Sequence, residues 1–550
     1  MWWRPILVVV ILLLEGVAMA SIDDGLVGHW PLAGDCRDHS GHGNDAVNHG
    51  VNLRAEGPRG EQDGAALFDG RSSWLEVPDD PSLRVGSGDF TIAAWLRTDE
   101  LLDDVIGDIC SSYDPASRRG FNLTVVNHAG MTSSQSNYRT LQFGIDDGRM
   151  TGWQDSGRPG EAVFIASMAV HGGDLYVGTC EPDEGQAGRV YRYLGEDEWE
   201  DCGSPDGSNS VMAMAVHEGD LYVGSAAYNT RGSLLPAAEN TAPGGHVYRL
   251  AEDGSWTDCG QIPQARATYC LTVYRGDLYG IAMYVPGVYR HDGGTDWAYC
   301  GTPGDQRSMA LAVHNGSLWA SGNGGAGVHG YLGGEDWEFC GRQEDNTQTY
   351  SFAIHEGDMY VGTWPDGSVH RYEGGTRWTN VGRLGREKEV MAMAVYNGRM
   401  YAGTLPLGQV HRFDGPHTWT LTGQLDTTPD VPYRRVWTMA IHDGWLYAGT
   451  LPSGRVYRMQ AGTVTTYDRP LPPGWCHIAA VREGEALKLF VNGALVGRSA
   501  ARHPADYDID SGTPLRIGFG QHDYLNGSLT DVRVYRRALT AGEVAALAEQ

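Results

Sequence analysis

The sequence contains no cluster of basic residues, although it carries many charges. Asp and Glu number 69 against 41 Lys and Arg, which gives a formal net charge of −28 at pH 7. Phosphate backbones and anionic lipid surfaces are bound by clustered Lys and Arg, so nucleic acid and anionic membranes are excluded as partners. An acidic surface of this kind keeps an extracellular protein soluble and also attracts divalent cations.

Long apolar runs are also missing, apart from one near the N-terminus. Arg4 precedes an apolar run over 5–14, and Ala18, Met19 and Ala20 form the small-x-small pattern of a cleavage site. The run has about ten residues, whereas a helix needs roughly 20 to span a bilayer. We therefore predict a signal peptide over 1–20, cleaved after Ala20, no membrane insertion, and a secreted or extracytoplasmic mature protein.

The nine cysteines form no CxxC pair and no Cys/His cluster at zinc spacing. Export permits disulfides, but an odd number leaves at least one thiol unpaired. Four cysteines share one column of the repeat described below, and on different blades of a ring they are too far apart to pair. They are Cys202, Cys259, Cys300 and Cys340. One disulfide is expected among Cys36, Cys110 and Cys476, which lie outside the repeat.

Glycine, by contrast, is abundant, with 77 residues in a chain of 550. So many glycines are untypical of a helical protein and indicate a chain full of tight turns. The length exceeds what one hydrophobic core usually supports, so two or more domains are expected.

One twelve-residue segment recurs seven times in the middle of the chain. Its first copy reads MAVHGGDLYVGT, and the copies occupy 168–179, 214–225, 271–282, 311–322, 352–363, 393–404 and 439–450. Within each copy apolar residues alternate on both sides of an x-Gly turn, which indicates a β-hairpin. A third strand follows, and then a fourth that contains W-x-x-x-G. Four short antiparallel strands in about 40–45 residues are typical of a propeller blade.

The last copy lacks a clear W-x-x-x-G, whereas one stands before the first copy, from Trp153 to Gly157. This offset predicts that the first strand of the region completes the last blade and closes a ring of seven blades. Alternatively, Val464 to Tyr467 supplies the missing strand. The G-G-x-x-W pattern resembles kelch-like and other seven-bladed propellers. That resemblance implies architecture only, because neither the W-D signature of WD40 repeats nor the S-x-D-x-G-x-x-W box of sialidases is found.

The regions on either side of the repeat contain motifs that resemble one family. AAWLRT at 93–98 precedes the repeat, while WCHIAAV at 475–481, LFVNG at 489–493 and DVRVYRRALT at 531–540 follow it. Together they resemble the LamG-like jelly-roll family of concanavalin A-like sandwiches. At the C-terminus, Thr540 and Glu543 form the capping box of a short helix.

The predicted fold is therefore all-β, a concanavalin A-like jelly-roll sandwich with an inserted seven-bladed β-propeller. The predicted parts are the signal peptide 1–20, the first part of the jelly roll 21–150, the propeller 151–462 and the second part of the jelly roll 463–550. Insertion of a domain is tolerated at an exposed hairpin tip when the ends of the insert lie close together. A closed propeller places its termini side by side.

The LamG-like resemblance implies a structural Ca²⁺ that pins the first loop of the sandwich against its last strand. The residues that match this role are Asp38, Asn44 and Asp531. Oxygen ligands from a Gly-rich loop suit Ca²⁺. The alternative is that Asp38 and Asn44 only form hydrogen bonds within their own turn.

Two polar columns of the repeat suggest chemistry but favour a structural interpretation. The pair His171/Asp174 recurs in only two further copies, so a cross-strand pair that closes a turn explains it better than catalysis does. Arginines recur in the third strand, and we predict that they pair with carboxylates of the blades. They are Arg192, Arg249, Arg290, Arg371, Arg412 and Arg458.

The loops between blades and after the second strands vary in sequence and emerge on one face of a propeller. Six aromatic residues on this face are the predicted ligand-binding residues, because aromatic side chains stack on sugars and loops on a rigid scaffold commonly bind ligands. They are Tyr228, Tyr269, Tyr350, Trp364, Tyr433 and Trp437. The alternative, which the sequence supports equally, is that these aromatic residues only close the end of the hydrophobic core.

We therefore predict a secreted, non-catalytic binding protein that recognises glycans or extracellular proteins through the jelly roll and this propeller face. One alternative is a hydrolase or lyase acting on polysaccharide, which needs two carboxylates about 5–10 Å apart. Acidic residues in suitable loops are Glu181, Asp183, Glu344, Asp345 and Glu389. The other alternative is a structural cell-surface component, in which neither face has a pocket.

Overall fold

A computed structural model of the chain describes residues 21–99, 101, 103–127, 135–325, 327–500, 504 and 506–550. The predicted signal peptide, 1–20, lies outside the described residues. The fold is all-β, as predicted. The helical elements of the described residues are the α-helix Ala541–Glu549 and the 3₁₀ turns Thr230–Ser233 and Pro303–Asp305.

Two antiparallel sheets that combine residues from both ends of the chain form a sandwich. The first sheet has the strand order Asn52–Ala55, Ala65–Asp69, Asn526–Tyr535, Phe90–Thr98, Gly474–Glu483, Ala486–Val491 and Ala494–Arg498, with Leu26–Trp30 paired to Asn526–Tyr535. The second has the order Val47–His49, Trp74–Val77, Leu515–Ile517, Gly107–Asp114, Arg119–Val126, Thr140–Met150 and Ala461–Tyr467. Alternate side chains of both sheets, such as Phe90 and Phe143, meet in one buried core.

The chain leaves the sandwich and returns to it at neighbouring positions. Thr140–Met150 pairs antiparallel with Ala461–Tyr467, and Met150 lies opposite Ala461 at the end of this pair. The residues between them fold as a separate ring, as expected for an insert whose ends lie close together. The alternative in which Val464 to Tyr467 closes the propeller is wrong, because this strand belongs to the sandwich.

The inserted residues form a β-propeller of antiparallel sheets arranged in a ring. Five of its sheets have four strands each. They contain Thr268–Tyr274, Asp277–Ala282, Val288–Gly293 and Asp296–Tyr299; Ser308–His314, Ser317–Gly322, Val328–Gly333 and Asp336–Phe339; Gln348–His355, Asp358–Trp364, Ser368–Tyr372 and Trp378–Arg383; Glu389–Tyr396, Arg399–Leu405, Gln409–Gly415 and Thr418–Gln424; and Arg435–His442, Trp445–Leu451, Val456–Met459 and Gln154–Asp155.

The number of separate blades differs from the predicted seven, because the strand pairing gives five blades of four strands. The first two copies of the repeat share one eight-stranded sheet instead. Its strands are Phe164–His171, Asp174–Cys180, Val190–Gly195, Glu198–Asp201, Ser210–His217, Asp220–Ala226, His246–Leu250 and Trp256–Gln261. A bridge between Cys180 and Ser210 joins the second strand of one copy to the first strand of the next. The inner strands of neighbouring copies lie so close that one additional bridge merges their sheets.

The ring closes through the strand predicted for this role. Gln154–Asp155 pairs with Val456–Met459, so residues before the first copy complete the last sheet. In addition, each tryptophan of the W-x-x-x-G motif donates its indole N–H to the preceding outer strand. The acceptor of Trp153 is Thr422 Oγ1, and the other acceptors are carbonyls: Ser156 for Trp199, Cys202 for Trp256, Cys259 for Trp297, Cys300 for Trp337, Cys340 for Trp378 and Val381 for Trp419.

The sandwich closes the hairpin end of the ring. The side chain of Gln135 exchanges hydrogen bonds of 3.0 and 2.7 Å with the backbone of Val273. That of Asn137 does the same with Ile441, at 2.6 and 2.8 Å. Both side chains are buried. Val273 and Ile441 lie near the hairpin turns, so the sandwich covers this end of the ring.

All nine cysteines are free thiols, so the disulfide predicted among Cys36, Cys110 and Cys476 is not present. Cys110 and Cys476 lie in opposite sheets of the sandwich. Packed sheets are about 10 Å apart, whereas the Cα atoms of a disulfide lie within about 7 Å. The Cys36 thiol instead donates a hydrogen bond of 3.0 Å to the carbonyl of Ala46.

The C-terminal helix begins with the predicted capping box, in which Thr540 and Glu543 exchange side-chain to backbone hydrogen bonds. The Arg537 guanidinium, which donates hydrogen bonds to the Glu543 carboxylate, lowers the pKa of Glu543 to about 2, and the hydrogen bonds from Thr540 add to this effect. Of the helices in the described part of the chain, none has the length and apolar character needed to cross a bilayer.

Candidate functional site

The first strands of the seven repeat copies begin at the end of the ring that lies away from the sandwich. The residue two positions before each copy is buried in one shared cluster on the ring axis. These residues are Ala166, Met212, Tyr269, Met309, Tyr350, Met391 and Trp437. They form an apolar floor.

The residue four positions before each copy lies one layer further out along the axis. These residues are Phe164, Ser210, Ala267, Arg307, Gln348, Glu389 and Arg435. The last four come from consecutive copies and are polar, whereas the first three are apolar or small. The wall above the apolar floor is therefore polar on one side only.

A cavity with a volume of about 320 Å³ opens above this floor. Each of the six predicted ligand-binding aromatics lines it, together with Arg307, Gln348, Glu389 and Arg435. Four of the six are buried, namely Tyr228 and the floor residues Tyr269, Tyr350 and Trp437, whereas Trp364 and Tyr433 are partly exposed at the rim. The sequence prediction thus identified residues that do come together, although most of them are buried and do not form an exposed platform.

Ring contacts fix the aromatic wall. Trp437 packs edge-on against Phe164 and Tyr269, with ring centres 4.8 and 6.1 Å apart. Burial raises the pKa of Tyr228 to about 12, so its phenol remains protonated at neutral pH. Its hydroxyl lies 2.6 Å from Ser233 Oγ.

Arg435 is the central cation of the cavity. Its guanidinium carbon lies 5.6 Å from the ring centres of both Tyr433 and Trp437, and its Nη2 lies 3.6 Å from Glu389 Oε2. Burial by itself lowers the pKa of Arg435, but the Glu389 carboxylate and the neighbouring tyrosine hydroxyls together outweigh this and the net shift is upward. The side chain therefore carries its charge although it is only 7% exposed.

Several buried polar atoms of the cavity residues have no hydrogen-bond partner among the described residues. The donors are Trp437 Nε1, Arg435 Nε and Asn323 Nδ2, and the acceptor is Glu389 Oε1. Buried polar groups of folded proteins are almost always hydrogen-bonded. This cavity therefore offers three donors and one acceptor to a molecule that enters it.

A second cavity, of about 460 Å³, adjoins the first and shares Tyr228, Asn229 and Tyr284 with it. Arg231 and Arg266 line this second cavity. The described lining residues of both cavities include four arginines and, as their single acidic residue, Glu389, which leaves a local charge of +3. This local charge is opposite in sign to the net charge of −28 of the whole chain.

The three residues predicted to bind Ca²⁺ lie in the first loop and the last strand of the sandwich. The Asp38 carboxylate accepts hydrogen bonds of 2.8–2.9 Å from the backbone of His29, Ser40 and Asn44. The Asn44 amide donates to Val27 O at 2.8 Å. The structure therefore contains the turn-internal bonds of the alternative interpretation.

Asp531 is engaged in other contacts. Its Oδ1 lies 2.7 Å from His29 Nε2 and 2.8 Å from Arg533 Nε. It lines a sandwich cavity of about 480 Å³ together with Trp95 and Trp475. His29 thus touches both Asp38 and Asp531.

The polar columns of the repeat form contacts within the ring. His171 lies opposite Asp174 across the hairpin, and its Nε2 contacts the carbonyl of Gly219 in the next copy at 2.8 Å. Five of the six third-strand arginines form ion pairs with blade carboxylates. Arg458 instead donates to the Tyr193 hydroxyl at 3.0 Å and stacks on Trp445.

Of the five candidate carboxylates, Glu389 alone lines the aromatic cavity. Glu181 is buried elsewhere, where it accepts hydrogen bonds from Thr179 and Tyr191, and burial raises its pKa. The sequence did not lead us to three polar residues that line the aromatic cavity, Arg307, Gln348 and Arg435. The column four positions before the repeated segment is the pattern that identifies them.

Comparison with known proteins locates one family match. Residues 434–545 match the family described as the Concanavalin A-like lectin/glucanases superfamily, Laminin_G_3. The match begins in the last sheet of the ring and continues through most of the second part of the sandwich. No curated protein matches the sequence at a significant level.

Two solved structures are similar to part of this chain. Virginiamycin B lyase from Staphylococcus aureus is 10% identical with a TM-score of 0.45, and the alignment covers 57% of this chain and 99% of that one. BamB from Moraxella catarrhalis is 13% identical with a TM-score of 0.35, with 54% and 83% covered. The chain is an all-β protein that combines a concanavalin A-like domain with a β-propeller.

Proposed function

We propose that this protein is an exported, non-catalytic binding protein whose propeller cavity holds an acidic glycan. The observation that carries the proposal is the aromatic cavity, in which buried donors without partners lie beside two arginines in an otherwise acidic protein. Its volume of about 320 Å³ falls within the range of roughly 300–1,000 Å³ usual for small-molecule sites.

The chemistry of the cavity favours a sugar that carries a carboxylate or sulfate. Aromatic rings such as Trp364 and Tyr433 at the rim stack on the apolar faces of sugar rings. Arg307 and Arg435 provide charge-assisted hydrogen bonds to an anionic group. Glu389 Oε1 is the acceptor for a sugar hydroxyl. An extracellular protein with an exposed acidic side chain is the second ligand class that this chemistry fits.

Binding is favoured over hydrolysis by the number of carboxylates. Glycoside hydrolysis normally needs a pair of carboxyl groups about 5–10 Å apart on either side of the scissile bond. Among the described residues that line the aromatic cavity, Glu389 is the single carboxylate, and it is paired with Arg435. A purely structural role is less well supported, since the propeller face contains a cavity.

We further propose that the chain is divided into a signal peptide 1–20, a jelly roll over 21–150 and 463–550, and a propeller over 151–462. The ring would then act as seven units, with the eight-stranded sheet counted as two. Two observations support this count. The seven first strands contact each other in chain order with the last against the first, and the seven tryptophan bonds form one closed cycle.

We also propose that the protein is exported and that Asp38, Asn44 and Asp531 bind a structural Ca²⁺. For calcium we expect the melting temperature of the full chain to rise with added CaCl₂, because an ion bound to the native state stabilises it. Thermal melts with and without Ca²⁺ measure this. An unchanged melting temperature at millimolar Ca²⁺ contradicts the calcium proposal.

The ligand class is tested with matched oligosaccharides. We expect isothermal titration calorimetry to show binding of oligogalacturonate but not of the corresponding neutral galacto-oligosaccharide. The affinity for oligogalacturonate should fall as NaCl is raised, because salt screens the attraction between the acidic ligand and the exposed arginines of the adjoining cavity, Arg231 and Arg266.

Product analysis on the same mixtures tests for turnover. Binding without new reducing ends or unsaturated products supports the proposal. Equal affinity for the neutral oligosaccharide, or turnover of the acidic one, contradicts it.

A further inference from the structure

The hairpin turns of the ring are linked by a repeated hydrogen bond. A His or Tyr at the end of a first strand contacts the glycine carbonyl of the next turn, at 2.7–3.0 Å. The pairs are His171 with Gly219, His217 with Gly276, Tyr274 with Gly316, Tyr396 with Gly444, and His442 with Gly173. His314 occupies the same column, but its imidazole faces two carboxylates of the sandwich instead.

These carboxylates belong to Asp104 and Asp523. His314 Nδ1 lies 3.3 Å from Asp523 Oδ2 and 3.8 Å from Asp104 Oδ1. One ligand atom of each residue lies within 4.8 Å of the other two. The three side chains come from three separate segments of the chain. All are buried, with 2% of Asp104, 3% of His314 and none of Asp523 exposed.

The facing atoms of His314 and Asp523 have no partner outside the cluster. His314 Nδ1 and Asp523 Oδ2 form a buried ion pair at 3.3 Å, and neither atom has another hydrogen-bond partner among the described residues. Among the ion pairs of the described residues, His314 is the single basic side chain paired with either carboxylate. Buried charge that is not compensated is costly.

We propose that Asp104, His314 and Asp523 bind a divalent transition-metal ion of the Zn²⁺ class between the sandwich and the propeller. Zn²⁺ takes nitrogen and carboxylate ligands at about 2.0–2.2 Å, which places tetrahedral neighbours about 3.3–3.6 Å apart. The separation of 3.3 Å from His314 Nδ1 to Asp523 Oδ2 lies within this range, and that of 3.8 Å to Asp104 Oδ1 lies just above it. An imidazole ligand favours Zn²⁺ over Ca²⁺ and Mg²⁺, which prefer oxygen.

The atoms around the three ligands are arranged to orient them. Asp104 Oδ1 accepts backbone hydrogen bonds from Asn315 and Val105, at 2.6 and 2.9 Å. Asp523 Oδ1 accepts one from Tyr524 at 2.8 Å, which leaves Oδ2 for the ion. The side-chain amide of Asn315 lies 2.9 Å from His314 Nε2, and its Oδ1 has no other hydrogen-bond partner among the described residues. With this amide turned so that Oδ1 faces the ring, it would accept the Nε2–H of an imidazole that binds an ion through Nδ1.

The ion would join two parts of the molecule. Asp104 and Asp523 lie next to strands of the sandwich, whereas His314 ends a first strand of the ring. Neighbouring backbone bonds, such as Gly357 N to His522 O at 3.1 Å, show that the two parts already touch here. This site lies at the hairpin end of the ring, opposite the aromatic cavity, so it is independent of the proposed ligand.

Metal analysis of the full chain tests the site. After equilibrium dialysis against Zn²⁺, we expect about one ion per chain in the wild type and less than a tenth of that in His314→Gln. The matched control is His217→Gln, which changes the equivalent buried histidine of another copy and should retain the ion. Zn²⁺ should raise the melting temperature of the wild type and of His217→Gln, but not of His314→Gln. A His314→Gln protein that binds Zn²⁺ as the wild type does overturns the proposal.

A measurement on the unaltered protein covers the case in which His314→Gln does not fold. Crystals of the wild type grown with Zn²⁺ should show an anomalous difference peak at the zinc edge between Asp104, His314 and Asp523. A map without a peak at this position, or with peaks at surface histidines only, overturns the proposal.

Discussion

Replacing Arg435 by methionine is expected to weaken the binding of an acidic oligosaccharide by about 10- to 150-fold. A hydrogen bond to a charged group contributes about 1.5–3 kcal/mol, and about 1.4 kcal/mol corresponds to a factor of ten. Arg435 is buried between Tyr433 and Trp437, so water screens its charge little. Isothermal titration calorimetry with oligogalacturonate measures the change.

The same substitution should also destabilise the fold, because it leaves the Glu389 carboxylate buried without its partner. Removal of one member of a buried ion pair typically costs about 3–5 kcal/mol. The double variant Arg435→Met/Glu389→Met removes both charges and should recover much of this loss, while its ligand affinity stays low. Binding and stability are thereby separated in one double-mutant cycle.

The matched control is Arg249→Met. Arg249 pairs with Asp220 at 2.8 Å on the exposed side of a sheet, where about 40% of each side chain is accessible. Exposed pairs of this kind contribute roughly 0–1 kcal/mol, so stability and affinity should both stay close to wild type. If the double variant binds oligogalacturonate as tightly as the wild type, Arg435 does not contact the anionic group.

The repeat made much of this cavity predictable. The W-x-x-x-G offset identified the closing strand at Trp153, and aromatic residues near the ends of the first and second strands identified the cavity wall. The alternation of inward and outward side chains along a strand was not sufficient to predict that Arg307 and Arg435 line the cavity. A bulge interrupts each first strand close to this end, between Val436 and Thr438 in the last copy. Beyond a bulge the inward and outward faces exchange, so the simple period of two no longer assigns them.

The sequence alone did not predict contacts between segments that are far apart along the chain. Asp104 and His314 are separated in sequence by three strands of the sandwich and about half of the propeller, and they meet because the sandwich docks on the hairpin end of the ring. The single bridge between Cys180 and Ser210, which turns two copies of the repeat into one sheet, is likewise a detail of packing. Repeat periodicity determines how a copy folds, but not whether it shares a bridge with its neighbour.

The cavity and the docking of the sandwich are connected through the same strands. Five of the seven first strands begin with residues that line the cavity, and each first strand ends at a hairpin turn on the sandwich side of the ring. Gln135 and Asn137 hold two of these strands at the hairpin end through paired backbone bonds. A rigid ring axis keeps the aromatic wall in place, and a preformed site loses less entropy when it binds.

Replacing Trp153 by alanine is expected to destabilise the propeller by about 3 kcal/mol, since loss of a large aromatic side chain from a packed site costs about 3–5 kcal/mol and Trp153 is only partly buried. Its indole donates to Thr422 Oγ1 at 3.3 Å and covers Gly423, where a Cβ would lie 2.5 Å from the ring. Only the two-residue strand Gln154–Asp155 completes the last sheet beside it. We expect the melting temperature to fall and amide hydrogen exchange over 456–459 to accelerate.

The control for this effect is Trp378→Ala, which removes the equivalent indole from the middle of the ring, where it bonds to Cys340 O at 2.8 Å. It should lower stability by a similar amount but leave exchange over 456–459 unchanged, because the last sheet keeps its closing strand. Gly423→Ala provides an independent route to the same result, since its methyl group displaces the Trp153 ring. If Trp153→Ala leaves exchange over 456–459 at the wild-type rate, the ring does not depend on this strand for closure, and the last sheet is held by its three C-terminal strands alone.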